Sequence, residues 1–595
     1  PADPTGPEPP MAALPAPILS PELPAPADAL RAAMTAHYAR DETALVRELV
    51  EQASLPEAQR ELVLARASEL VARVRVKAAK QSAVESFMRQ YDLSSEEGVL
   101  LMCVAEALLR IPDADTADRL IRDKLGEADW DRHLGASDSL FVNASTWGLM
   151  LTGKIISLAE ETRANFLGAL KRLVARTGEP VVRLAVRQAM RIMGHQFVMG
   201  RTIAEALDRA QDKEGRAYRH SFDMLGESAL THADAERYFV AYQEAIRAIG
   251  GRGPHANVID APSISVKLSA LHPRYEVAKR ARVHAEITPK VMALARLAKS
   301  QGIALTIDAE EADRLELSLE LMGRVFADPA LEGWNGFGLA VQAYLKRALP
   351  VIDWLAAQAA MSGRRWCVRL VKGAYWDAEV KRAQVEGHAG YPVYTRKPNT
   401  DVAYLACAKR LFEHGAAFYP QFATHNAHTI AAIHHLAQGR PFEFQRLHGM
   451  GTDLYAEVIG KEKLDVPCRV YAPVGSHEDL LPYLVRRLLE NGANTSFVNR
   501  IVDEATPIRE LVADPVETVR AFDRIAHPRI PQPLALYGAD RKNSMGINLA
   551  NDDELRALTA QIEAVLAKAD WRAAPLPAAL HKSLQGETHE VRDPS

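Results

Sequence analysis

Residues 304–327 read A-L-T-I-D-A-E-E-A-D-R-L-E-L-S-L-E-L-M-G-R-V-F-A. The first six residues, 304–309, have the make-up of a short buried strand with an aspartate next to its end, and from 311 to 327 the apolar residues recur at helical spacing. The same unit repeats outward in both directions. Strands are expected at 218–225, 263–269, 304–309, 338–343, 367–371, 419–424, 443–447 and 469–472. Helices are expected between them at 234–249, 286–301, 311–327, 345–362, 400–415, 427–438 and 452–460. Eight alternating units over about 300 residues predict an α/β fold, a parallel (β/α)8 barrel. The rival is a doubly wound open sheet, which would carry G-x-G-x-x-G after its first strand. Gly333, Gly336 and Gly338 have the wrong spacing and precede a strand.

Upstream of the barrel the chain reads as helical, with 3.6-residue periodicity over 29–53, 57–80, 82–91, 95–110, 114–124, 158–176 and 180–194. The expected organisation is therefore a Pro/Ala-rich tail over 1–28, a helical arm over 29–80 and an all-α domain over 81–200. The barrel follows over 201–545, and a terminal helix with its linker fills 546–595. At 595 residues the chain is too long for one core. Its 48% hydrophobic and 25% charged residues are those of an ordinary globular protein. A net charge of -4 gives no nucleic-acid footprint, and no nucleic-acid partner is expected. Cys103, Cys367, Cys407 and Cys468 form no C-x-x-C pair, so no zinc site or disulfide framework is expected and a reducing cytoplasm fits. The longest apolar run, 99–109, is about half of a membrane span.

In a barrel of this kind chemistry belongs at the carboxyl ends of the strands. The residues that fall there are Asp223, Glu227, Lys267, Asp308, Glu310, Glu311, Gln342, Tyr344, Arg369, Lys372, Tyr375, Trp376, Asp377, His425, Asn426, Gln445, His448 and Tyr471. Beyond the eighth strand, Tyr483, Arg486, Arg487 and Glu490 share one stripe of a helix. Adjacent arginines on such a stripe suit bidentate binding of one small carboxylate. Pro482 lacks a backbone N–H, so the helix is expected to start there, after a capped turn at Ser476 and Asp479. A metal-dependent hydrolase would want H-x-H after the first strand, where S-F-D-M-L-G-E stands instead. A Schiff-base lyase would use Lys267 or Lys372. A flavin site would use Arg364, Arg365, Arg369 and Lys372 before Gly373, with Tyr375 and Trp376 to stack, and accounts for most of the rim.

Five long words carry a resemblance: S-V-K-L-S-A-L-H-P-R-Y (265–275), I-D-A-E-E-A-D-R-L-E (307–316), V-R-L-V-K-G-A-Y-W-D (368–377), Y-P-Q-F-A-T-H-N-A-H-T (419–429) and Y-L-V-R-R-L-L-E-N-G-A-N-T-S-F-V-N-R (483–500). Over 200–540 the chain resembles the proline dehydrogenase barrel of the proline utilisation A flavoproteins, and the helical part before it resembles their arm and α-domain. The resemblance implies FAD in the barrel mouth and oxidation of L-proline to Δ1-pyrroline-5-carboxylate, by hydride transfer from proline C5 to flavin N5. The electrons would pass to a quinone at the membrane in the first step of proline catabolism to glutamate. It assigns Lys267, Arg486 and Arg487 to the proline carboxylate, Leu447, Tyr471 and Tyr483 to its ring, and Asp308 to orienting Tyr471. It places Arg369 by the flavin, Gln342 by its pyrimidine edge, and Lys372, Gly373, Trp376, His425, Asn426 and Glu490 along the rest of the cofactor. Glu227 with Arg486 would form a gate. It also implies a missing aldehyde dehydrogenase half, and a cytoplasmic protein in peripheral contact with the membrane's inner face. Members that bind DNA begin with a ribbon-helix-helix domain, which the Pro/Ala tail does not resemble, so no repressor activity is expected.

Overall fold

The computed structural model describes residues 28–78, 198–475, 500, 501 and 505–566. The expected helices between 82 and 194, the tail over 1–27 and the stripe helix with Tyr483, Arg486, Arg487 and Glu490 lie outside the described residues.

The arm consists of α1 (Ala29–Ala36), α2 (Glu42–Ala53) and α3 (Glu57–Ala78). Asp28 and Asp41 cap α1 and α2 by accepting from the N–H groups of Arg31 and Ala44, which satisfies donors that a helix start leaves orphaned. These two caps divide what the periodicity presents as one helix over 29–53.

The barrel begins after α4 (Ile203–Ala210). Its units are β1 (Arg219–Met224) and α5 (His232–Gly250), β2 (Ser263–Val266) and α6 (Arg280–Ser300), β3 (Ala304–Ile307) and α7 (Leu315–Ala327), and β4 (Phe337–Gln342) and α8 (Ala348–Ser362). Next come β5 (Trp366–Val371), α9 (Trp376–Val385), α10 (Lys397–Glu413), β6 (Phe418–Ala423) and α11 (Ala427–Ala437). The last unit is β7 (Glu443–Leu447), α12 (Thr452–Ala456) and β8 (Cys468–Val474). All neighbouring pairs are parallel, and β1 pairs with β8 to close the cylinder. After it come two short helices, α13 (Ile508–Leu511) and α14 (Pro515–Arg520), and then α15 (Asp552–Leu566).

All eight expected strands form. Helix ends depart from the sequence reading by up to six residues, and one helix between the strands is new. Helix α6 starts six residues before the expected 286 and runs through Pro289. The lost backbone bond is offset because Val283, Ile287 and Val291 are fully buried on one face. Helix α9 was not expected, since its only buried apolar side chains, Val380 and Ala383, make too weak a pattern.

The arm lies against the outside of the barrel, α2 along α10 and α3 along α11. Leu45, Val46, Leu49 and Val50 of α2 and Val63, Ala67, Leu70, Val71 and Val74 of α3 are buried in the same core as the barrel helices. A buried carboxylate fixes the register: Glu42 accepts from Thr395 N at 2.9 Å, Thr395 Oγ1 at 2.8 Å and Asn399 Nδ2 at 2.7 Å. No described helix is long and apolar enough to cross a membrane.

Candidate active site

Side chains on alternate residues of a strand share a face, and in a closed barrel one face points inward. The inward series are polar: Arg219, Ser221 and Asp223 on β1; Ser263 and Ser265 on β2, continued by Lys267 just beyond it; Glu443 and Gln445 on β7; Arg469 and Tyr471 on β8. They stack from the floor of the barrel to its mouth.

At the floor, Glu443 is wholly buried and accepts from Arg469 Nε at 2.6 Å, Arg219 Nη1 at 2.9 Å and Gln421 Nε2 at 2.7 Å. Burial would raise its pKa, but Arg469 and Arg219 hold the carboxyl below the usual range. One layer up, Gln445 donates to Glu443 at 3.1 Å and accepts from Arg369 Nε at 2.7 Å. That fixes which way its amide faces and what it offers the guanidinium. Arg369 also donates to Ser265 Oγ at 2.9 Å, Ser221 Oγ at 3.1 Å and Asp308 Oδ1 at 2.5 Å. Its guanidinium carbon lies 5.1 Å from the centre of the Tyr471 ring, a cation over an aromatic face.

At the mouth, Lys267 donates to Asp223 Oδ1 and Oδ2 at 2.8 and 2.9 Å and lies 3.4 Å from both Asp308 Oδ2 and Tyr471 Oη. The Tyr471 hydroxyl stands 2.7 Å from Asp308 Oδ2 and 2.7 Å from Asp223 Oδ2. Burial would lower the Lys267 ammonium, yet Asp223, Tyr471 and Asp308 hold it well above its ordinary range. For Asp308 the order is similar: burial is outweighed by Lys267 and Arg369, and its carboxyl is lowered.

The remaining expected rim residues lie around this cluster. Gln342 is buried at the end of β4. Lys372 pairs with Asp401 of α10, and Asp401 is lowered because Lys372 and Lys397 outweigh its burial. Gly373 has φ +140°, and a Cβ there would meet the Tyr344 ring at 2.4 Å, so only glycine fits. Trp376 opens α9 and donates its indole N–H to Tyr394 O at 2.8 Å. His425 Nε2 lies 3.3 Å from the Leu447 N–H, and Asn426 caps α11 by accepting from Thr429 N at 2.9 Å. Glu227 is half-buried in the loop after β1.

The sequence reading left Asp223 without a role and missed Ser221, Ser265, Arg219, Glu443 and Arg469. The signal was present, since polar residues at every second position of buried strands mark an inward face. Among the described residues no group of three or more His, Cys, Asp or Glu could hold a metal ion.

A closed parallel barrel with a dense ion-paired cluster at the carboxyl ends of β1, β2, β3, β5 and β8 is the frame of a β/α-barrel enzyme. Residues 206–500 match the family described as proline dehydrogenase. Residues 28–75 match the proline utilization A proline dehydrogenase N-terminal domain. The chain is 51% identical over 587 residues to the bifunctional protein PutA of Klebsiella aerogenes, covering 96% of this chain and 44% of that protein. It is 52% identical over 568 residues to PutA of Escherichia coli K12, covering 93% of this chain and 43% of that one. A solved structure of a Bradyrhizobium japonicum PutA variant superposes with a TM-score of 0.70 at 47% identity, covering 89% of this chain and 53% of that one. The chain belongs to the proline utilization A family and carries its proline dehydrogenase barrel. It spans less than half the length of these two curated relatives.

One expectation is overturned. Residues 83–197 match the family described as the DNA-binding domain of proline dehydrogenase, against the reading of no nucleic-acid partner. That reading rested on net charge, which averages over the whole chain and is blind to one segment.

Proposed function

We propose that this chain oxidises L-proline to Δ1-pyrroline-5-carboxylate with FAD as hydride acceptor, the electrons passing on to a quinone. The observation that carries the reading is the interlocked set Asp223, Lys267, Asp308, Arg369 and Tyr471 at the mouth of a barrel that matches the proline dehydrogenase family.

The donor set suits the cofactor. Lys372, the glycine cradle at Gly373 and the N-termini of α9 and α11 at Trp376 and Asn426 share one rim, and helix starts with nearby cations suit a pyrophosphate. Gln342, His425 and Glu490 would hold the remaining polar edges, and Arg369 the flavin ring. FAD held there would supply the acceptor for the hydride that leaves proline C5.

The chain's own residues prepare the substrate. Proline must react as a neutral amine, and cations around its carboxylate favour loss of the ammonium proton. Arg486, Arg487 and Lys267 would supply them, Tyr471, Tyr483 and Leu447 would enclose the ring, and Glu227 with Arg486 would close the entrance. Asp308 and Gln445 hold Arg369 from opposite ends.

A Schiff-base lyase is less well supported, because imine formation needs a neutral amine. Lys267 is engaged with both Asp223 and Asp308, and Lys372 is engaged with Asp401. The parent protein is proposed to carry an aldehyde dehydrogenase half, and to work in the cytoplasm with peripheral membrane contact. A visible spectrum of the purified protein before and after anaerobic L-proline tests the activity. Yellow protein that bleaches is the expected result; a colourless protein that takes up no FAD, or colour that persists, refutes it.

A further inference from the structure

The contacts around Tyr471 need more protons than one phenol and two ionised carboxylates supply. A phenol has one O–H to donate, yet its oxygen stands 2.7 Å from a carboxylate oxygen on each side. With both aspartates ionised, one of these contacts would set a carboxylate lone pair against a phenol lone pair, beside an Asp223 that no solvent reaches. Lys267 cannot fill the gap: its close donors go to Asp223, and it stands 3.4 Å from Tyr471 Oη. Arg369 cannot either: four of its five N–H groups go to Asp308, Gln445, Ser221 and Ser265, and its guanidinium lies over the Tyr471 ring instead of at the hydroxyl.

We propose that the row Asp223, Tyr471, Asp308 holds one additional proton, seated on Asp223, which leaves the floor of the pocket with a net positive charge that attracts the carboxylate of the substrate. With Asp223 Oδ2 protonated, every contact carries one hydrogen: Asp223 donates to Tyr471, Tyr471 donates to Asp308, and Lys267 donates to Asp223 Oδ1. Lys267 and Arg369 then outnumber the single ionised carboxylate, Asp308. With Asp223 ionised the same four groups sum to zero.

The choice of Asp223 over Asp308 follows from what faces each. Asp308 has two cations, Arg369 from β5 at 2.5 Å and Lys267 from the end of β2 at 3.4 Å. Asp223 has Lys267 alone, with Asp308 from the end of β3, Tyr471 from β8 and Tyr242 from α5 on its other sides. Burial and Asp308 raise the Asp223 carboxyl above its usual range, against the pull of Lys267.

The attraction for substrate rests on the proline reading, whereas the proton does not, and two measurements separate them. Infrared difference spectra of the full chain, wild type minus Asp223→Asn, are expected at neutral pH to show the carbonyl stretch of a protonated carboxylic acid, which disappears in alkali. Asp308→Asn removes the charge that raises Asp223 and puts an amide donor beside Tyr471, so there the band is expected to be lost at a lower pH than in the wild type. Affinity for cyclopentanecarboxylate, which has no amine to titrate, should fall about tenfold or more as the pH rises past that transition. In Asp223→Asn, which mimics the protonated acid, it should be flat with pH. Absence of the acid band overturns the proposal, as does a wild-type affinity that does not change with pH while the band titrates. An acid band in a protein that binds no cyclic carboxylate at any pH would uphold the proton and sink the proline reading.

Discussion

At the scale of single residues, the site is a set of charges that pin one another. Gln445 is the hinge between two layers, because its amide accepts from Arg369 and donates to Glu443. Gln445→Met should leave a buried guanidinium N–H and a buried carboxylate oxygen each short of a partner, costing about 2–4 kcal/mol in stability. Urea unfolding measures that loss, and a shift in the potential of bound flavin would report displacement of Arg369. Arg487→Met should weaken proline binding about tenfold or more, since charged hydrogen bonds contribute roughly 1.5–3 kcal/mol each; unchanged affinity in a titration would refute the carboxylate clamp. Outside the site, Glu379 of α9 is buried and accepts from Ala312 N at 2.7 Å, and burial pushes its carboxyl from 4.5 up to about 7. The folded state therefore binds the proton more tightly than the unfolded chain, and stability contributed by the protonated form is lost as pH rises from about 4.5 through about 7. A displacement of that size corresponds to about 3 kcal/mol. Glu379→Gln should be the more stable protein at pH 8 and lose that advantage near pH 4, as unfolding curves at the two pH values would show.

At the scale of elements, each strand delivers function through its parity and each helix through its ends. The inward residues of β1, β5, β7 and β8 build the polar column, while their outward neighbours, such as Phe222, Val368, Leu370, Phe444 and Val470, are buried beneath the helices. A shift of one residue in β5 would exchange Arg369 for Leu370 and empty the site. Helix α2 joins the barrel through Glu42, whose carboxylate sits over the segment leading into α10. Glu42→Ala should leave the Thr395 N–H and hydroxyl without their acceptor and Asn399 with Ile525 O alone, and destabilise the protein by about 3 kcal/mol. Because α10 also carries Asp401, the partner of Lys372, the same variant should bind FAD more weakly, which a fluorescence titration would detect.

At the scale of the whole molecule, the arm is part of the barrel's outer layer. α1 reaches α7 through Arg31, which donates to Glu316 at 3.2 Å and Glu320 at 2.8 Å. α3 lies along α11 and buries Ala67, Leu70, Val71 and Val74. Removing residues 28–78 would expose that apolar face, so the shortened chain is expected to aggregate or to lose stability on heating; an unchanged melting temperature would show that the arm contributes nothing. The chain by itself determined the eight strands, the helices between them and the strand tips that carry Lys267, Asp308, Arg369 and Tyr471, because those signals are local: a period of two or 3.6 residues and a polar residue at the end of an apolar run. Long words at 265–275, 307–316 and 368–377 also determined the family. Only the tertiary structure decided that Asp223 faces Tyr471 across 248 positions of sequence, that Gln445 joins Arg369 to Glu443, and that Lys267 is already paired before any substrate arrives. Those facts depend on the stagger with which β8 closes against β1, and spacing along one chain says nothing about how two distant strands align once the barrel is shut.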